Sequence, residues 1–195
     1  MVLATIKDKT DLVNIISTTF DANPSVNIVI GDKGNRRKRI KLMAGYAFIK
    51  ALNRDGAYLS ENKKGIALFY RSNYGKSNLK EIFYELRFAL ALPVKKVFEA
   101  LKREAYLKKY RYQGEHFYFW FFGVQKGGGK AGFDLKNGLY QLSEQEQLPI
   151  ILETSVARNK IVYERYGFKV YHQWSYYGDG HTLWFMKRDV PKLLS

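Results

Sequence analysis

The sequence predicts one mixed α/β domain, with a central mixed sheet of about seven strands and helices on both faces. Apolar, strand-like runs alternate with segments of helical periodicity in the order β-α-α-β-β-α-α-β-α-β-α-β-β. Near the middle of the chain a strand, a glycine turn, a helix and a second strand follow one another, as in a βαβ unit. No repeat or linker divides the 195 residues, so the domain is expected to span 1–195.

The N-terminal part is predicted to contain a strand and two helices. Residues 2–6 have the pattern of a strand, and from about Asp8 or Thr10 apolar residues recur at helical spacing until Asn23-Pro24. The segment 25–34 is predicted to be an irregular connection. A second helix is expected over 35–52, with its apolar residues on one face.

The first turn of that second helix is basic. Its residues Arg36, Arg37, Lys38 and Arg39 oppose the positive end of the helix dipole, so local helix stability does not explain them. They form either a solvated face or a rim around the mouth of an anion site, and the sequence leaves both interpretations open.

The middle part is predicted to contain a hairpin and two amphipathic helices. Residues 56–60 and 65–71 flank a polar turn. Ser77 or Asn78 is expected to cap the next helix, and Pro93 to begin the one after it. The residues expected to face the core are Leu79, Ile82, Phe83, Leu86 and Leu90 in the first helix, and Val94, Val97, Phe98, Leu101 and Ala105 in the second.

The outer face of the second of these helices is basic. Its charged residues are Lys95, Lys96, Lys102, Arg103, Lys108 and Lys109. Because the regular aromatic residues that stack bases are missing between them, specific nucleic-acid binding is not expected.

The chain is organised around the segment 116–168. A very apolar strand over 116–124 leads into the glycine cluster 127–132, which opens a helix. Glycines let the backbone approach a phosphate closely, and the first helical turn presents free N–H groups at the positive end of the dipole. The pattern therefore predicts an anion site here. A second buried strand over 148–154 follows the helix, and the ligand is expected at the carboxyl ends of the two strands.

Two last strands, 168–176 and 181–187, complete the prediction. Gly178-Asp179-Gly180 lies between them and is typical of a hairpin turn.

Composition limits the possible partners. The net charge of +15 favours anionic ones, such as nucleic acid, an acidic membrane surface or a polyphosphate. Cysteine is absent, which excludes disulfides, thiolate metal sites and a cysteine nucleophile. No apolar run reaches the ~20 residues of a membrane helix, and the N-terminus does not have the pattern of a signal peptide. A cytoplasmic protein without a membrane partner is therefore expected.

The order and spacing of the central motifs resemble those of the GNAT acyltransferase superfamily. The strand ends in Gly123-Val124, Leu148-Pro149-x-x-Leu152-Glu153-Thr154 follows the helix, and Asn159-x-x-x-Tyr163-Glu164-x-x-Gly167-Phe168 closes the unit. The resemblance implies a GNAT-like acyl-CoA N-acyltransferase fold, with 116–168 as its acyl-CoA-binding core. The glycine loop departs from the family pattern, because it is two residues shorter and has Gly127 and Lys130 in place of the usual Gln or Arg and the middle glycine.

The resemblance also implies which residues bind acetyl-CoA. The backbone of Phe122, Gly123 and Val124 corresponds to the strand bulge that pairs with the pantetheine arm and polarises the thioester. The residues expected to hold the pyrophosphate are Gly127, Gly128, Gly129, Lys130, Ala131 and Gly132. Lys130 either adds a charge to the pyrophosphate or crowds the backbone. Asn159 is expected to bond the coenzyme arm, to cap a helix, or both.

Two residues are expected to be catalytic. Tyr163 corresponds to the family's general acid and lies on the same helical face as Asn159. Glu153 ends the second parallel strand near the expected coenzyme, where it acts as general base, orients the substrate, or pairs with a Lys or Arg. His116 begins the fourth strand, too far from Val124 for this role. His172 and His181 are not expected to be opposite one another, so no metal site is predicted.

The acceptor pocket is expected to be aromatic, lined by Phe20, Trp120, Trp174, Tyr176 and Tyr177. The resemblance therefore implies an N-acyltransferase that moves acetyl from acetyl-CoA directly to the amine of a small molecule or peptide, without a metal. The alternative is a non-catalytic GNAT-like module that binds coenzyme A or nucleic acid through its basic faces. The oligomeric state, including a possible homodimer, is left open.

Overall fold

The computed structural model describes residues 1–32, 34–176 and 181–191, and it has the predicted mixed α/β architecture. The strands are β1 (Val2–Leu3), β2 (Ala57–Leu59), β3 (Gly65–Arg71), β4 (Phe117–Val124), β5 (Ile150–Thr154), β6 (Lys169–Tyr176) and β7 (His181–Arg188). The helices are α1 (Lys9–Thr19), α2 (Pro24–Ile30), α3 (Arg36–Leu52), α4 (Leu79–Ala89), α5 (Val94–Tyr110), α6 (Ala131–Gln145) and α7 (Ala157–Arg165). No helix within these ranges is long and apolar enough to cross a membrane.

The strands form one sheet in the order β1-β2-β3-β4-β5-β7-β6. All neighbours are antiparallel except β4 and β5, which α6 connects as the predicted βαβ unit. Among the described residues, the β4–β5 ladder consists of two pairs, Phe117 with Ile150 and Tyr118 with Ile151. The sheet is therefore continuous but narrowly joined at its centre.

Helices cover both faces of the sheet. On one face α1, α2 and α3 bury a core that includes Leu12, Ile40, Phe48 and the strand residue Leu68. On the other face α6 and α7 pack over the strands through residues such as Leu135. The chain thus places α1 to α5 on one side of β4 and the glycine loop with α6 and α7 on the other.

The expected irregular connection over 25–34 is wrong, because most of it is the helix α2. Asn23 does not simply end the first helix: its side-chain oxygen accepts a hydrogen bond from the N–H of Val26 at 3.3 Å, and Pro24 occupies the first turn. Val26 and Ile30 are buried, which fixes the helix against its neighbours. The first helix, α1, ends earlier, at Thr19.

The expected inward faces of α4 and α5 are also wrong. Leu79, Leu90 and Val94 are 86%, 86% and 72% exposed, and Ala105 is exposed as well. The other exposed apolar residues of these two helices are Ile82, Phe83, Leu86, Phe98 and Leu101, while Val97 is half-buried.

Other residues of the two helices provide the packing. On α4, Glu81 is buried, and Tyr84 and Phe88 pack against the core beneath α3. Toward the end of α5, Tyr106, Leu107 and the following turn pack on β6 and β7. In both helices, therefore, the face that packs on the rest of the protein is not the face with the most apolar residues.

The remaining predicted elements hold with small changes at their ends. Asn78 caps α4 by accepting a hydrogen bond from the N–H of Glu81 at 2.9 Å. The first strand is shorter than expected, because Ile6–Asp8 forms a 3₁₀ turn. The expected hairpin turn Gly178-Asp179-Gly180 lies outside the described residues.

Candidate active site

The site begins where β4 and β5 separate. Beyond Tyr118 the two strands no longer pair, so one edge of the β4 backbone is open to a ligand. The pairing with β3 shifts there as well: Leu68 is opposite Phe121 and Phe69 is opposite Phe119, which leaves Trp120 without a partner. This irregularity lies upstream of the bulge expected at Phe122, Gly123 and Val124, which pair in regular register with β3.

The side chains of those last three residues of β4 alternate between the two faces. Phe122 and Val124 line a cleft of about 430 Å³ on the α6 and α7 side. Gly123 faces α1, where a Cβ would come within 2.6 Å of the Thr19 hydroxyl. Gly123 is thus required by the packing of α1 against the strand, and any contact with a ligand comes through its backbone.

The glycine loop is fixed on its outer side by the β2–β3 turn. The amide of Asn62 donates to the carbonyl of Gly128 at 3.0 Å, and the N–H of Gln125 donates to the carbonyl of Lys64 at 2.8 Å. Gly128 is buried, and a Cβ there would lie 2.4 Å from a methyl group of Val124. Gly128 is therefore a packing glycine, and it holds the loop against the end of β4.

Gly127 and Gly129 have φ angles of +78° and +58°, in the left-handed region that favours glycine. Space around both is open, since no atom lies within 4 Å of a Cβ built at either position. Of these two glycines, Gly129 lines the cleft and Gly127 does not; Gly132, at the start of α6, lines it as well. The loop thus turns its second half toward the cleft and its first half away from it.

The start of α6 presents hydrogen-bond donors to this space. Within the described residues, the backbone N–H groups of Gly129, Lys130, Gly132 and Phe133 have no intramolecular acceptor. Ala131 is buried and its N–H donates to the carbonyl of Gly128. Free donors at the positive end of a helix are the arrangement that binds phosphates, so the loop fits a pyrophosphate.

The opposite wall of the cleft comes from α7. Asn159 and Tyr163 are one helical turn apart, and both line the cleft as expected. Asn159 does not cap α7, because the capping residue is Val156 and Asn159 lies in the first turn. Its exposed amide is therefore free of a capping role.

Tyr163 lies deep in this wall. Its ring contacts Phe119 and Phe168 edge to face, at centroid distances of 6.4 and 5.5 Å. Burial, with a smaller contribution from Tyr140, raises the pKa of Tyr163 to about 12. The phenol therefore keeps its proton well above neutral pH.

Glu153 lies outside this cleft and is held in a buried network. Arg111, just after α5, donates from Nε to Glu153 Oε1 at 2.8 Å, and the Tyr118 hydroxyl donates to Oε2 at 2.7 Å. Arg111 also donates to the Tyr118 hydroxyl at 3.1 Å. Glu153 was expected to act as a general base, to orient the substrate, or to pair with a Lys or Arg; the structure shows the pairing, with Arg111. Burial acts to lower the pKa of Arg111, but Tyr118 and Glu153 raise it above its ordinary value.

The structure brings together only part of the predicted site. The predicted residues that line the cleft are Phe122, Val124, Gly129, Gly132, Asn159 and Tyr163. Gly127, Lys130 and Ala131 lie at the loop but do not line the cleft, and Lys130 is exposed.

Sequence reasoning missed several residues of the cleft. Lys136 lies over the rings of Tyr140 and Tyr166, with its Nζ 4.8 and 5.0 Å from their centroids. These residues line the cleft together with Gly132, and Lys136 and Tyr140 follow Gly132 at intervals of four along α6. The helical spacing was the signal that could have identified them. Lys136 supplies a positive charge next to the loop.

The residues expected in the acceptor pocket are separated. Phe20 contacts Phe121, whereas Trp120 lies beside Tyr46 and Tyr70. Trp174 stacks on Tyr106 at a centroid distance of 3.7 Å. The side chain of Tyr176, and Tyr177 as a whole, lie outside the described part of the structure.

The histidines are not brought together near the cleft. His116 is buried and contacts the carbonyl of Gly114 through Nδ1 at 2.6 Å. His172 is opposite Phe185 in the sheet, and His181 is opposite Tyr176.

Several solved structures of N-acetyltransferases are similar to this chain. A Corynebacterium glutamicum protein described as histone acetyltransferase HPA2 and related acetyltransferase is 15% identical, with a TM-score of 0.67 over 100% of this chain and 97% of that one. Arylalkylamine N-acetyltransferase 2 from Aedes aegypti is 16% identical, with a TM-score of 0.62 and coverages of 97% and 98%.

The NatC complex bound to Gag peptide and CoA is also similar, with 12% identity, a TM-score of 0.54 and coverages of 98% and 96%. No protein-family sequence model matches the chain, and no curated protein matches it in sequence. The comparisons therefore show a shared fold, and they confirm the fold implied by the order of the motifs.

Proposed function

We propose that this chain, which has the GNAT acyl-CoA N-acyltransferase fold, transfers an acetyl group from acetyl-CoA to an amine. The observation that carries the proposal is the cleft between β4 and α7, with free helix N–H groups at one end and the half-buried Tyr163 in its wall. The free N–H groups are donors that can bind the pyrophosphate of acetyl-CoA. The protonated phenol is an acid that can protonate the thiolate that leaves the thioester.

The binding mode follows from the two walls of the cleft. We place the pyrophosphate at the free N–H groups of Gly129, Lys130, Gly132 and Phe133, with the Lys136 ammonium nearby as a charge partner. The pantetheine arm then lies along the unpaired edge of β4 at Phe122 to Val124, and the exposed amide of Asn159 faces it from α7. This places the thioester near Tyr163.

The reaction is a direct transfer. The amine nitrogen attacks the thioester carbonyl carbon, a C–N bond forms, and the C–S bond breaks as the tetrahedral intermediate collapses. As the intermediate collapses, the attacking nitrogen loses a proton to water, the leaving thiolate takes the proton of the Tyr163 hydroxyl, and the phenol is restored from water. Because the pKa of Tyr163 is raised to about 12, the phenol is available as an acid throughout the range in which amines become neutral.

Glu153 as a general base stays a prediction. Both carboxylate oxygens already accept hydrogen bonds, from Arg111 and Tyr118, which favours the orienting role among the alternatives. We propose that this network fixes the Tyr118 side chain on β4, and that the ammonium form of the acceptor loses its proton to water before it attacks.

Acetyl-CoA binding is the first test. A ligand at one hundred times its dissociation constant adds about 2.7 kcal/mol of stability, which raises the melting temperature of a domain of this size by roughly 5–10 °C. We expect such a shift at both low and physiological salt. A shift that disappears with salt would indicate a non-specific effect of the basic surface.

Tyr163→Phe then separates catalysis from binding. We expect acetyl transfer to a panel of amines, measured by release of free thiol, to fall about 100-fold, while the thermal shift with acetyl-CoA is unchanged. Tyr166→Phe is the matched control, because it removes another phenol hydroxyl from the lining of the same cleft. Equal rates for the two variants would rule out Tyr163 as the acid. Binding without transfer to any amine would favour the non-catalytic module.

A further inference from the structure

The exposed apolar residues of α4 and α5 form a continuous series along the two helices. We call them the apolar stripe: Leu79, Ile82, Phe83, Leu86, Leu90, Val94, Phe98 and Leu101. Successive members are mostly three or four residues apart, so each helix carries its part on one face. The two parts meet at the short turn between Leu90 and Val94, where exposure is 86% and 72%. A soluble monomer rarely leaves so many large apolar side chains in water.

A second feature adjoins the stripe on α4. A cleft of about 440 Å³ lies between α1, α3 and α4, and five of its lining residues are cationic. We call it the basic cleft; its cationic residues are Lys9, Arg37, Lys38, Lys41 and Arg87. None of the described residues that line it carries a carboxylate, and within the described part of the chain no carboxylate is in ion-pair distance of Arg37, Lys38, Lys41 or Arg87.

The two features share a border. Arg87 lies beside Leu86 in sequence and one helical turn before Leu90. Tyr84 lines the basic cleft, and its ring contacts the ring of Phe83, with centroids 5.8 Å apart. Apolar side chains and unpaired cations are therefore presented together, on the face of the sheet opposite α6 and α7.

The charge of the chain decides which partner fits this surface. Residues 79–110 contain eight Lys or Arg against four Glu, and the whole chain has a net charge of +15. A second copy would bring the same positive charge to the interface, which opposes association. A partner with an apolar interior beneath a negatively charged surface would contact both the apolar stripe and the basic cleft. Helices with a face of Leu and Phe flanked by Lys and Arg bind surfaces of this kind.

We propose that the apolar stripe and the basic cleft dock this protein on an anionic membrane surface. The stripe enters the boundary between headgroups and acyl chains, and the basic cleft holds a lipid phosphate. Docking of this kind needs no spanning helix, so it replaces the expectation of no membrane partner. The acetyl-CoA cleft, on the opposite face of the sheet, stays open to water, and the proposal does not depend on the function proposed above.

Vesicle sedimentation tests the proposal with the full-length chain. We expect co-sedimentation with vesicles that contain phosphatidylglycerol, and little with pure phosphatidylcholine vesicles at the same lipid concentration. Absence of binding to the anionic vesicles would overturn the proposal.

The stripe is tested with the triple variant Leu86→Gln, Leu90→Gln and Phe98→Gln. The control replaces three exposed apolar residues elsewhere, Val2→Gln, Leu3→Gln and Ile161→Gln. We expect the stripe variant to bind anionic vesicles at least tenfold more weakly than the control, with both folded by circular dichroism. Equal binding would mean a purely electrostatic, non-specific association and would overturn the proposal.

The basic cleft is tested with Lys38→Gln, Lys41→Gln and Arg87→Gln, against a control that removes the same charge from exposed residues, Lys126→Gln, Arg165→Gln and Lys169→Gln. Each basic residue close to an anionic surface contributes about fivefold, so we expect about 100-fold weaker binding for the cleft variant alone. Equal losses in both variants would contradict a specific phosphate site.

Sedimentation velocity without lipid distinguishes the competing occupant. The proposal expects a monomer for the wild type and for the stripe variant. A wild-type dimer that the stripe substitutions dissociate would show that a second copy covers the stripe, and would overturn the membrane proposal.

Discussion

The carboxylate of Glu153 is held in an ion pair that lies outside the cleft. Its side chain is 5% exposed and that of Arg111 is 18% exposed, so the ion pair is nearly removed from water. A buried pair contributes little net stability, but removal of one partner leaves the other charge unpaired at high cost.

We therefore expect Glu153→Leu to lower the free energy of unfolding by about 3 kcal/mol, measured by urea denaturation. The double variant Glu153→Leu with Arg111→Met should recover most of the loss, because no charge is then left buried.

The exposed pair of Lys160 with Glu164 provides the control for this prediction. Its side chains are 28% and 41% exposed, so Glu164→Gln should cost less than about 0.5 kcal/mol. A loss below about 1 kcal/mol for Glu153→Leu would show that Arg111 remains well solvated without its partner.

The family resemblance of the motif pointed to Asn159 and Tyr163, and their spacing of four residues places both on one face of α7. The partner of Glu153 could not be found in the same way. Arg111 is 42 residues earlier in the chain, and the meeting depends on how α5 ends above the sheet. Long-range pairs of this kind leave no local pattern.

At the scale of the element, the loop before α6 contains two glycines that both need a positive φ but differ in their position relative to the cleft. Gly127 and Gly129 both have positive φ and open space, but only Gly129 lines the cleft. Asp tolerates this conformation better than most residues, so substitution adds a charge at limited conformational cost.

We expect Gly129→Asp to weaken acetyl-CoA binding at least tenfold in isothermal titration calorimetry, because its carboxylate would lie where the pyrophosphate is proposed. Gly127→Asp adds the same charge two residues away and should lose much less affinity. If the two variants lose equal affinity, the added negative charge acts through the electrostatic potential of the whole loop, and direct contact at Gly129 does not control binding.

The packing faces of α4 and α5 were predicted wrongly for one physical reason. Apolar periodicity identified α4 and α5 as helices but not the face that packs, since Glu81 is buried while Leu79 and Leu90 are exposed. Periodicity reports an apolar face and does not say what covers it. Burial of Glu81 depends on Arg54, which donates to its carboxylate at 2.6 Å from another part of the chain.

At the scale of the whole molecule, buried phenols make the fold sensitive to alkali. Burial raises the pKa of Tyr140 and of Tyr163 to about 12. In the unfolded chain tyrosines ionise near their ordinary value of about 10. The folded state therefore binds more protons above pH 10, and stability must fall as pH rises through that range.

We expect the urea midpoint to fall steadily from about pH 9 to about pH 11, with Tyr140 and Tyr163 each adding up to about 1.4 kcal/mol per pH unit to the slope. Lysines titrate in the same range, so tyrosinate absorbance is recorded along each unfolding curve. The buried tyrosines should ionise only as the chain unfolds. Their ionisation in the folded state, with a constant midpoint, would contradict the expectation.

The architecture as a whole was predictable because its signals are local and repeated. Strand and helix patterns, the glycine turn after β4 and the parallel β4–β5 pair all follow from periodicity and connection rules. The depth of the cleft was not predictable, since it depends on where β4 and β5 part, and no motif in the sequence marks that point.

The short β4–β5 ladder, with two residue pairs, has a consequence for ligand binding. A ligand arm lying along β4 would act as a surrogate strand and complete the sheet where the polypeptide itself leaves it unfinished. Substrate binding would then be partly a folding event, and amides of β4 and β5 near the gap should exchange with deuterium far more slowly when acetyl-CoA is present.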